Sequence, residues 1–227
     1  ILDLEHRDQL NGFNISIINE KEISGFRHSK AWATDQFLFY YLKFSHPIKD
    51  PERLYEVSPK KESFEFINPN NEPVYIKIGI SAVDEKGAKQ NLEQEIGNKS
   101  FEDIKKEAEQ IWESQLDKIV IEDNNQTNKV NFYTAMYHSM LAPNLYQDVD
   151  GRYRGMDLNI HQTNDFKYYT VFSLWDTYRA AHPLYTIIEQ ERTNDFINTF
   201  LAKFDEGGIM PIWDLAANYT GCMIGYH

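Results

Sequence analysis

The stretch Val74-Tyr75-Ile76-Lys77-Ile78-Gly79-Ile80-Ser81 sets an apolar side chain at every second position. Further on, Ser100 opens a run in which Phe101, Ile104, Ala108, Ile111, Trp112 and Leu116 recur at spacings of three and four. A period of two sends alternate side chains to opposite faces of a strand, whereas the longer spacing gathers them on one face of a helix. The chain therefore changes from β to α between these segments.

Upstream of the change the pattern is repeated. Phe13, Ile15 and Ile17 alternate with Asn14, Ser16 and Ile18, and Phe64 and Phe66 alternate with Ser63 and Glu65. Residues 37–44 are apolar on both faces, as in a central strand. Asn11-Gly12, His46-Pro47 and Asn68-Pro69-Asn70-Asn71 supply turn chemistry between the runs. Short strands at this spacing suggest a β-sandwich. Downstream, Ser100 with Asp103 is a variant of the capping box. A connecting strand is expected at residues 118–121, then a polar loop over residues 122–127. A helix follows through Val130, Tyr133, Ala135, Tyr137 and Leu141, stopped by Pro143. Helices are expected at residues 173–190 and 194–205, the second ended by Gly207-Gly208, and a further one from about Gly221. Residues 144–170 lack periodicity and exceed the ~12–15 residues usual for an unstructured connection, which marks a candidate functional loop.

The 227 residues include 41% in the hydrophobic set, enough for a sizeable core in one large domain or two small ones. Against 23 basic residues stand 35 acidic ones, a formal charge of -12. Such a surface repels phosphate backbones and anionic lipid heads, so nucleic acid and membrane are not expected partners. No stretch reaches the ~18 apolar residues of a membrane helix. The single cysteine, Cys222, forms no internal disulfide and reads as a buried, inert thiol in a helical run. The chain begins at Ile1 and closes on an apolar Met223-Ile224-Gly225 segment, so it reads as a piece of a longer polypeptide.

Phe172-Ser173-Leu174-Trp175-Asp176-Thr177-Tyr178-Arg179 is the block richest in chemistry. On a helix Trp175, Asp176 and Arg179 share roughly one face. An indole covers the apolar face of a pyranose, while a carboxylate and a guanidinium hydrogen-bond its hydroxyls. An Asp–Arg helix pair with a core-anchoring Trp accounts for the same spacing. Trp213, after the Gly207-Gly208 exit, is a second aromatic candidate for stacking or for packing. Asp148, Asp150 and Asp157, with glycines between them, have the oxygen donors that suit Ca2+, but they fail the EF-hand spacing, and solvated Asp-Gly turns are the better reading of them. The histidines show no metal spacing, and His138 reads as a packed residue. No metal ligand is assigned. Walker, dinucleotide and G-x-S-x-G signatures are absent.

Several blocks, in order along nearly the whole chain, resemble the calcium-dependent exo-α-mannosidases of glycoside hydrolase family 92. They are Leu2-Asp3-Leu4-Glu5-His6-Arg7-Asp8; Ile23-Ser24-Gly25-Phe26-Arg27 with Ala31-Trp32-Ala33; Ile78-Gly79-Ile80-Ser81 with Asn91-Leu92; Asp148-Val149-Asp150-Gly151-Arg152-Tyr153-Arg154-Gly155; Phe172 through Arg179 with Ala180-Ala181-His182-Pro183-Leu184; Gly207-Gly208 through Pro211-Ile212-Trp213; and Met223-Ile224-Gly225. Lys30 departs from the glycine more common before Ala31-Trp32.

The resemblance implies a multidomain β plus α protein. Residues 1–98 would be the C-terminal part of a β-sandwich, residues 99–127 a linker helix and loop, and residues 128–227 the first helices of an (α/α)6 catalytic barrel. It implies removal of terminal α-mannose from oligosaccharides or N-glycans with inversion, dependent on Ca2+, by an exported enzyme acting between the two domains. Inversion uses an acid and a base carboxyl roughly 6.5–9.5 Å apart. By the same resemblance both, and most calcium ligands, lie beyond His227, so no catalytic residue is assigned within this segment. Trp175, Asp176 and Arg179 are then the first substrate-binding candidates, and Trp213 and the loop of residues 148–155 come after them. The partners implied are the α-mannosyl glycan and the remainder of the polypeptide. Two readings compete: a non-catalytic carbohydrate-binding or scaffold protein of the same fold, and a helical-barrel glycosidase for another sugar.

Overall fold

The computed structural model describes residues 1–52 and 60–225. Its β half is one antiparallel sheet of four strands in the order β2-β3-β4-β6. These are β2 (Gln9–Asn19), β3 (Glu22–Lys30), β4 (Gln36–Phe44) and β6 (Ile76–Ser81). Two short strands, β1 (Leu2–Asp3) and β5 (Lys61–Glu62), pair with each other beside it. Apolar β4 is an interior strand, as its sequence demands. Asn11-Gly12 is not a turn. It lies inside β2, at a register shift between Leu10 and Gly12, because a glycine within a strand pattern accommodates a bulge. Residues 63–66 touch the sheet region by a single bridge from Phe66 to Ile48 rather than forming a full strand.

The register decides what each face buries. Ile17 opposes Ile23, Ile23 opposes Leu42, and Leu42 opposes Ile78, so one face is a continuous apolar surface. Leu4, Ile23, Tyr40, Leu42, Phe44 and Ile48 form its core, with Phe64 and Phe66 packed against them. Each fully buried side chain of this size contributes about 1.5–3 kcal/mol. Among the described residues the cover on this face is loop and ribbon, not a second sheet. Ile76, Ile78 and Ile80 on β6 remain 51%, 55% and 57% exposed, so that cover stops short of the edge strand.

The opposite face carries α1 (Glu85–Asn91) and the π-helical turn Leu92–Ile96. Ala88 and Leu92 pack on Tyr41. Gly79 permits this approach, since a Cβ there would meet the Ala88 carbonyl oxygen at 2.0 Å. Sequence reading missed this helix because its residues, Glu-Lys-Gly-Ala-Lys-Gln-Asn, offer almost no apolar period.

The α half begins with α2 (Phe101–Leu116), whose Ser100–Asp103 capping box is complete. Residues 118–121, expected as a strand, are irregular: they find no β partner. In α3 (Gln126–Ser139) only Met136 is buried, while Val130 and Tyr137 stay exposed. Its contact to α2 runs through Trp112 and Tyr137, with ring centroids 4.6 Å apart. His138 is exposed, not packed. Residues 144–170 are not structureless. They contain β7 (Asn144–Leu145), β8 (Arg152–Arg154), β9 (Ile160–Gln162) and β10 (Tyr169–Thr170), with β8 paired to β9 and β7 to β10.

The helix expected at residues 173–190 is broken into α4 (Leu174–Thr177) and α5 (Ala181–Ile188), and α6 (Gln190–Gly207) starts earlier than read. Pro183 explains the break. In one continuous helix it would sit in the interior, without an N–H and against the carbonyl four residues back. In α5 it falls in the first turn, where neither matters. Gly208 ends α6 in the left-handed region at φ 72°. A hairpin of β11 (Asp214–Leu215) and β12 (Asn218–Tyr219) follows. No helix starts at Gly221, and Cys222 is half-buried in an irregular segment, its Sγ 3.8 Å from the Thr220 carbonyl oxygen. Tyr226 and His227, at the end of that expected helix, lie outside the described residues.

Candidate functional site

Leaving α6 at Gly208, the chain runs back along the segment that opens α4. Ser173 and Trp213 form a β-bridge, and the Leu174 N–H donates to the Ile212 carbonyl at 3.1 Å. Trp213 is thereby fixed beside the residues that carry Trp175 and Asp176. Trp175 is 39% exposed, and the exposed Asp176 accepts a 2.7 Å hydrogen bond from the Ser173 hydroxyl. Arg179 does not share this helix, because α4 ends at Thr177. It sits on the following turn, where its Nε donates to the Tyr178 hydroxyl at 2.9 Å and its guanidinium lies 5.4 Å from the Tyr178 ring centre. Among the described residues no ion pair joins Asp176 to Arg179. Three of the four predicted residues are therefore grouped, and the fourth is adjacent but turned to a local partner.

Below this surface lies a buried ion pair. Lys203 on α6 and Asp214 on β11 are both 0% exposed and meet at 2.5 Å. The Asp214 carboxylate also accepts from the Thr170 hydroxyl at 2.7 Å and the Phe172 N–H at 3.2 Å. Burial pulls the Lys203 ammonium below the usual lysine range, and the adjacent Asp214 charge opposes that fall. Between Thr170 and Phe172, Val171 is held at φ 65°, a conformation a β-branched residue avoids. Asp214 grips both of its neighbours, which is how such strain persists. Phe172 then enters a core of Tyr185 and Phe196, with His182 stacked on it. Sequence reading missed Lys203 because a lysine within an amphipathic helix reads as solvated.

A third indole comes from the β half. Trp32, in the loop between β3 and β4, is 60% exposed and meets Trp213 edge to face, with centroids 5.5 Å apart and planes at 82°. The signal available for it was a tryptophan in a turn between two strands, where packing seldom demands one.

The loop of residues 148–155 has a different job. Asp148 is 5% exposed and accepts from the Ser81 hydroxyl and the Asn91 side-chain amide, at 2.7 and 2.8 Å. Burial raises its carboxyl above the usual range, and these two donors offset part of the rise. Arg152 pairs with Asp150 at 2.8 Å and with Asp84, the N-cap of α1, at 2.7 Å. Asp157 accepts from Asn159 and His161. The solvated reading fails for Asp148, which is a strut between this loop and the β6–α1 corner. As a calcium cage the three aspartates do not fit. Each is bound to a different set of donors, and among the described residues no group of three or more His, Cys, Asp or Glu could hold a metal ion. The cavity of about 340 Å3 beside Asp148 is lined by Ile78, Ile80, Leu92 and Tyr146, and by none of Trp175, Asp176, Arg179 or Trp213.

Residues 87–227 match the family model of the glycosyl hydrolase family 92 catalytic domain. Among solved structures, the family GH92 alpha-mannosidase BT3965 from Bacteroides thetaiotaomicron is 34% identical with a TM-score of 0.84, covering 97% of this chain and 32% of its own. The same protein has been solved in complex with mannoimidazole, with the same TM-score and identity. The family GH92 inverting mannosidase BT2199 from Bacteroides thetaiotaomicron VPI-5482 is similar in fold, at 22% identity and a TM-score of 0.81, over 96% of this chain and 32% of its own. No curated protein matches the chain. The chain thus spans about a third of the length of these solved structures. The family match over most of the helical half, and the extended match at 34% identity, agree with the blocks read from sequence, and this chain belongs to glycoside hydrolase family 92.

Proposed function

We propose that the chain forms one side of the sugar subsite of a glycoside hydrolase that removes terminal α-linked mannose, with inversion and with Ca2+, from oligosaccharides or N-glycans. The observation that carries this reading is the grouping of the exposed Trp175 and Asp176 with the half-buried Trp213, beside a buried ion pair. The indoles offer flat apolar surface to the C–H face of a pyranose. Asp176 accepts from a sugar hydroxyl in place of Ser173, and Arg179, released from Tyr178, donates to another. These residues bind and orient the sugar, and the general acid and base are supplied by the rest of the polypeptide. Calcium would supply Lewis-acid polarisation and orientation of sugar hydroxyls. Since the aspartates described above do not fit it, its ligands are assigned to the rest of the polypeptide too.

In this reading residues 1–98 complete a β-sandwich, residues 99–127 link it to the barrel, and residues 128–227 begin an (α/α)6 barrel in an exported enzyme. The exposed Ile76, Ile78 and Ile80 support the first of these assignments, and the exposed Val130 and Tyr137 on α3 support the last. The mannoimidazole complex of a 34% identical protein supports a mannosyl ligand. The test is mannose release from α-linked manno-oligosaccharides by the protein at its natural length, with and without EDTA. Release that EDTA abolishes and Ca2+ restores is expected. No release on any α-mannoside linkage would overturn the hydrolase reading in favour of a carbohydrate-binding role.

A further inference from the structure

Asn218 joins the two halves of the molecule across its 184-residue separation from Thr34. Its side chain is 6% exposed. Oδ1 accepts from the Thr34 hydroxyl at 3.0 Å and from the Asp35 N–H at 2.9 Å, while Nδ2 donates to the carbonyls of Asp35 at 3.0 Å and Ala216 at 2.7 Å. That uses the full capacity of a primary amide. The chemistry permits no other residue of this size. A backbone N–H can only donate and a backbone carbonyl can only accept, so the site requires a donor and an acceptor on one short planar group.

The bonded partners flank the indoles. Thr34 and Asp35 end the loop that carries Trp32, and Asn218 lies on the hairpin entered directly from Trp213. On the loop side, Asp35 is also tied to His28 at 2.5 Å. The hairpin itself is strained: its turn residues Ala216 and Ala217 hold φ of 46° and 65°, both buried, where Asn-Gly would be the relaxed choice. Strain of this kind persists only where neighbours over-determine it, and the Asn218–Ala216 bond and the Ala216 N–H to the Thr170 hydroxyl at 3.0 Å do so.

We propose that Asn218 is a positioning residue, a latch that sets the Trp32 loop of the β half against the Trp213 segment of the helical half so that the two indoles form one corner of the sugar subsite. The latch rests on geometry; its effect on sugar affinity rests on the function proposed above. Asn218→Asp keeps the shape but sets a carboxylate oxygen against two carbonyls. In the natural-length protein it should abolish the near-UV circular dichroism of the coupled indoles, as Trp32→Phe and Trp213→Phe each should. It should also raise KM for α-mannobiose about tenfold, the cost of about 1.4 kcal/mol of lost ground-state binding, with kcat changed far less. Ala217→Gly, which relaxes the turn and leaves the amide in place, should keep the coupled signal. Loss of the signal with KM unchanged would uphold the latch and overturn the sugar-contact reading instead. A retained signal in Asn218→Asp overturns the latch. Should that variant fail to fold, Thr34→Val decides: a weakened signal supports the latch, and an unaltered one overturns it.

Discussion

Asp214→Asn is the substitution whose outcome follows most directly from the structure. At 2.5 Å, and with an effective dielectric constant of about 20, the attraction between Lys203 and Asp214 is about 6–7 kcal/mol gross. Desolvation of two groups that are both 0% exposed offsets much of it. Removing one charge leaves the other buried without a counter-ion, and the cost of that is about 3–5 kcal/mol. The amide oxygen replaces only one carboxylate oxygen, so it can keep the Thr170 hydroxyl while its NH2 meets the Phe172 N–H, a clash that adds to the loss of the counter-ion. Lys203 then responds to pH. Unfolded, a lysine titrates near 10.4 on average, about its ordinary value; folded, burial holds Lys203 lower, and the variant loses the charge that opposed the fall. The folded variant sheds its proton first, so its stability rises with pH from the depressed folded value up to the unfolded one, by at most about 1.4 kcal/mol per pH unit. Urea unfolding of the natural-length protein at pH 7 and pH 9.5, followed by fluorescence, measures both effects. A midpoint shift equivalent to less than about 1 kcal/mol at pH 7, or a deficit unchanged at pH 9.5, would refute the reasoning. The double substitution Lys203→Met with Asp214→Leu should cost less than Asp214→Asn alone, because it removes both charges.

Ser100→Ala should cost about 0.5–2 kcal/mol by removing the side-chain cap of α2, seen as faster amide exchange in its first turn. Gly79→Ala should cost about 1–3 kcal/mol, because its Cβ would overlap the Ala88 backbone and push α1 off the sheet; a lowered Tm with loss of the Tyr41 environment would register it. His182 is half-buried against Phe172, and that burial lowers its pKa below the ordinary 6.5. Its contribution is complete above the unfolded value and is lost as pH falls through the folded one, so His182→Gln should flatten the acid side of the stability profile relative to the parent.

What was legible in the sequence was what periodicity and caps can state. Strict alternation in β6 and on β2 gave the strands, the apolar run of β4 gave its interior place, and Ser100 and Gly208 marked helix ends. The helix α1 was hidden because it packs with two small residues and a glycine opposite, which leaves no apolar stripe to count. The break after α4 was signalled by Pro183, but the helix over residues 173–190 was read straight through it. Of the site, Trp175, Asp176 and Trp213 were legible as residue types suited to sugar, and Arg179 was misread as their helical neighbour. Lys203, Asp214 and Asn218 act through pairings between residues distant in the chain, and no local pattern encodes a pairing. Asp148 was misread for the same reason: its partners, Ser81 and Asn91, lie on other elements.

The distance along the chain between Asp35 and Asn218, 183 residues, also sets a schedule. Each of the sheet's hydrogen-bonded neighbours lies within the first 81 residues, so the sheet can form as it is synthesised. At about 5–20 residues per second, the loop bearing Trp32 waits about 10–40 s from its own synthesis for the amide that will hold it. During that interval Thr34 and Asp35 lack the side chain that pairs with them, on an otherwise finished sheet. The contact between the Trp32 loop and the Trp213 segment is therefore among the last parts of this region to be assembled, and a nascent chain halted before Asn218 displays its sheet without that contact.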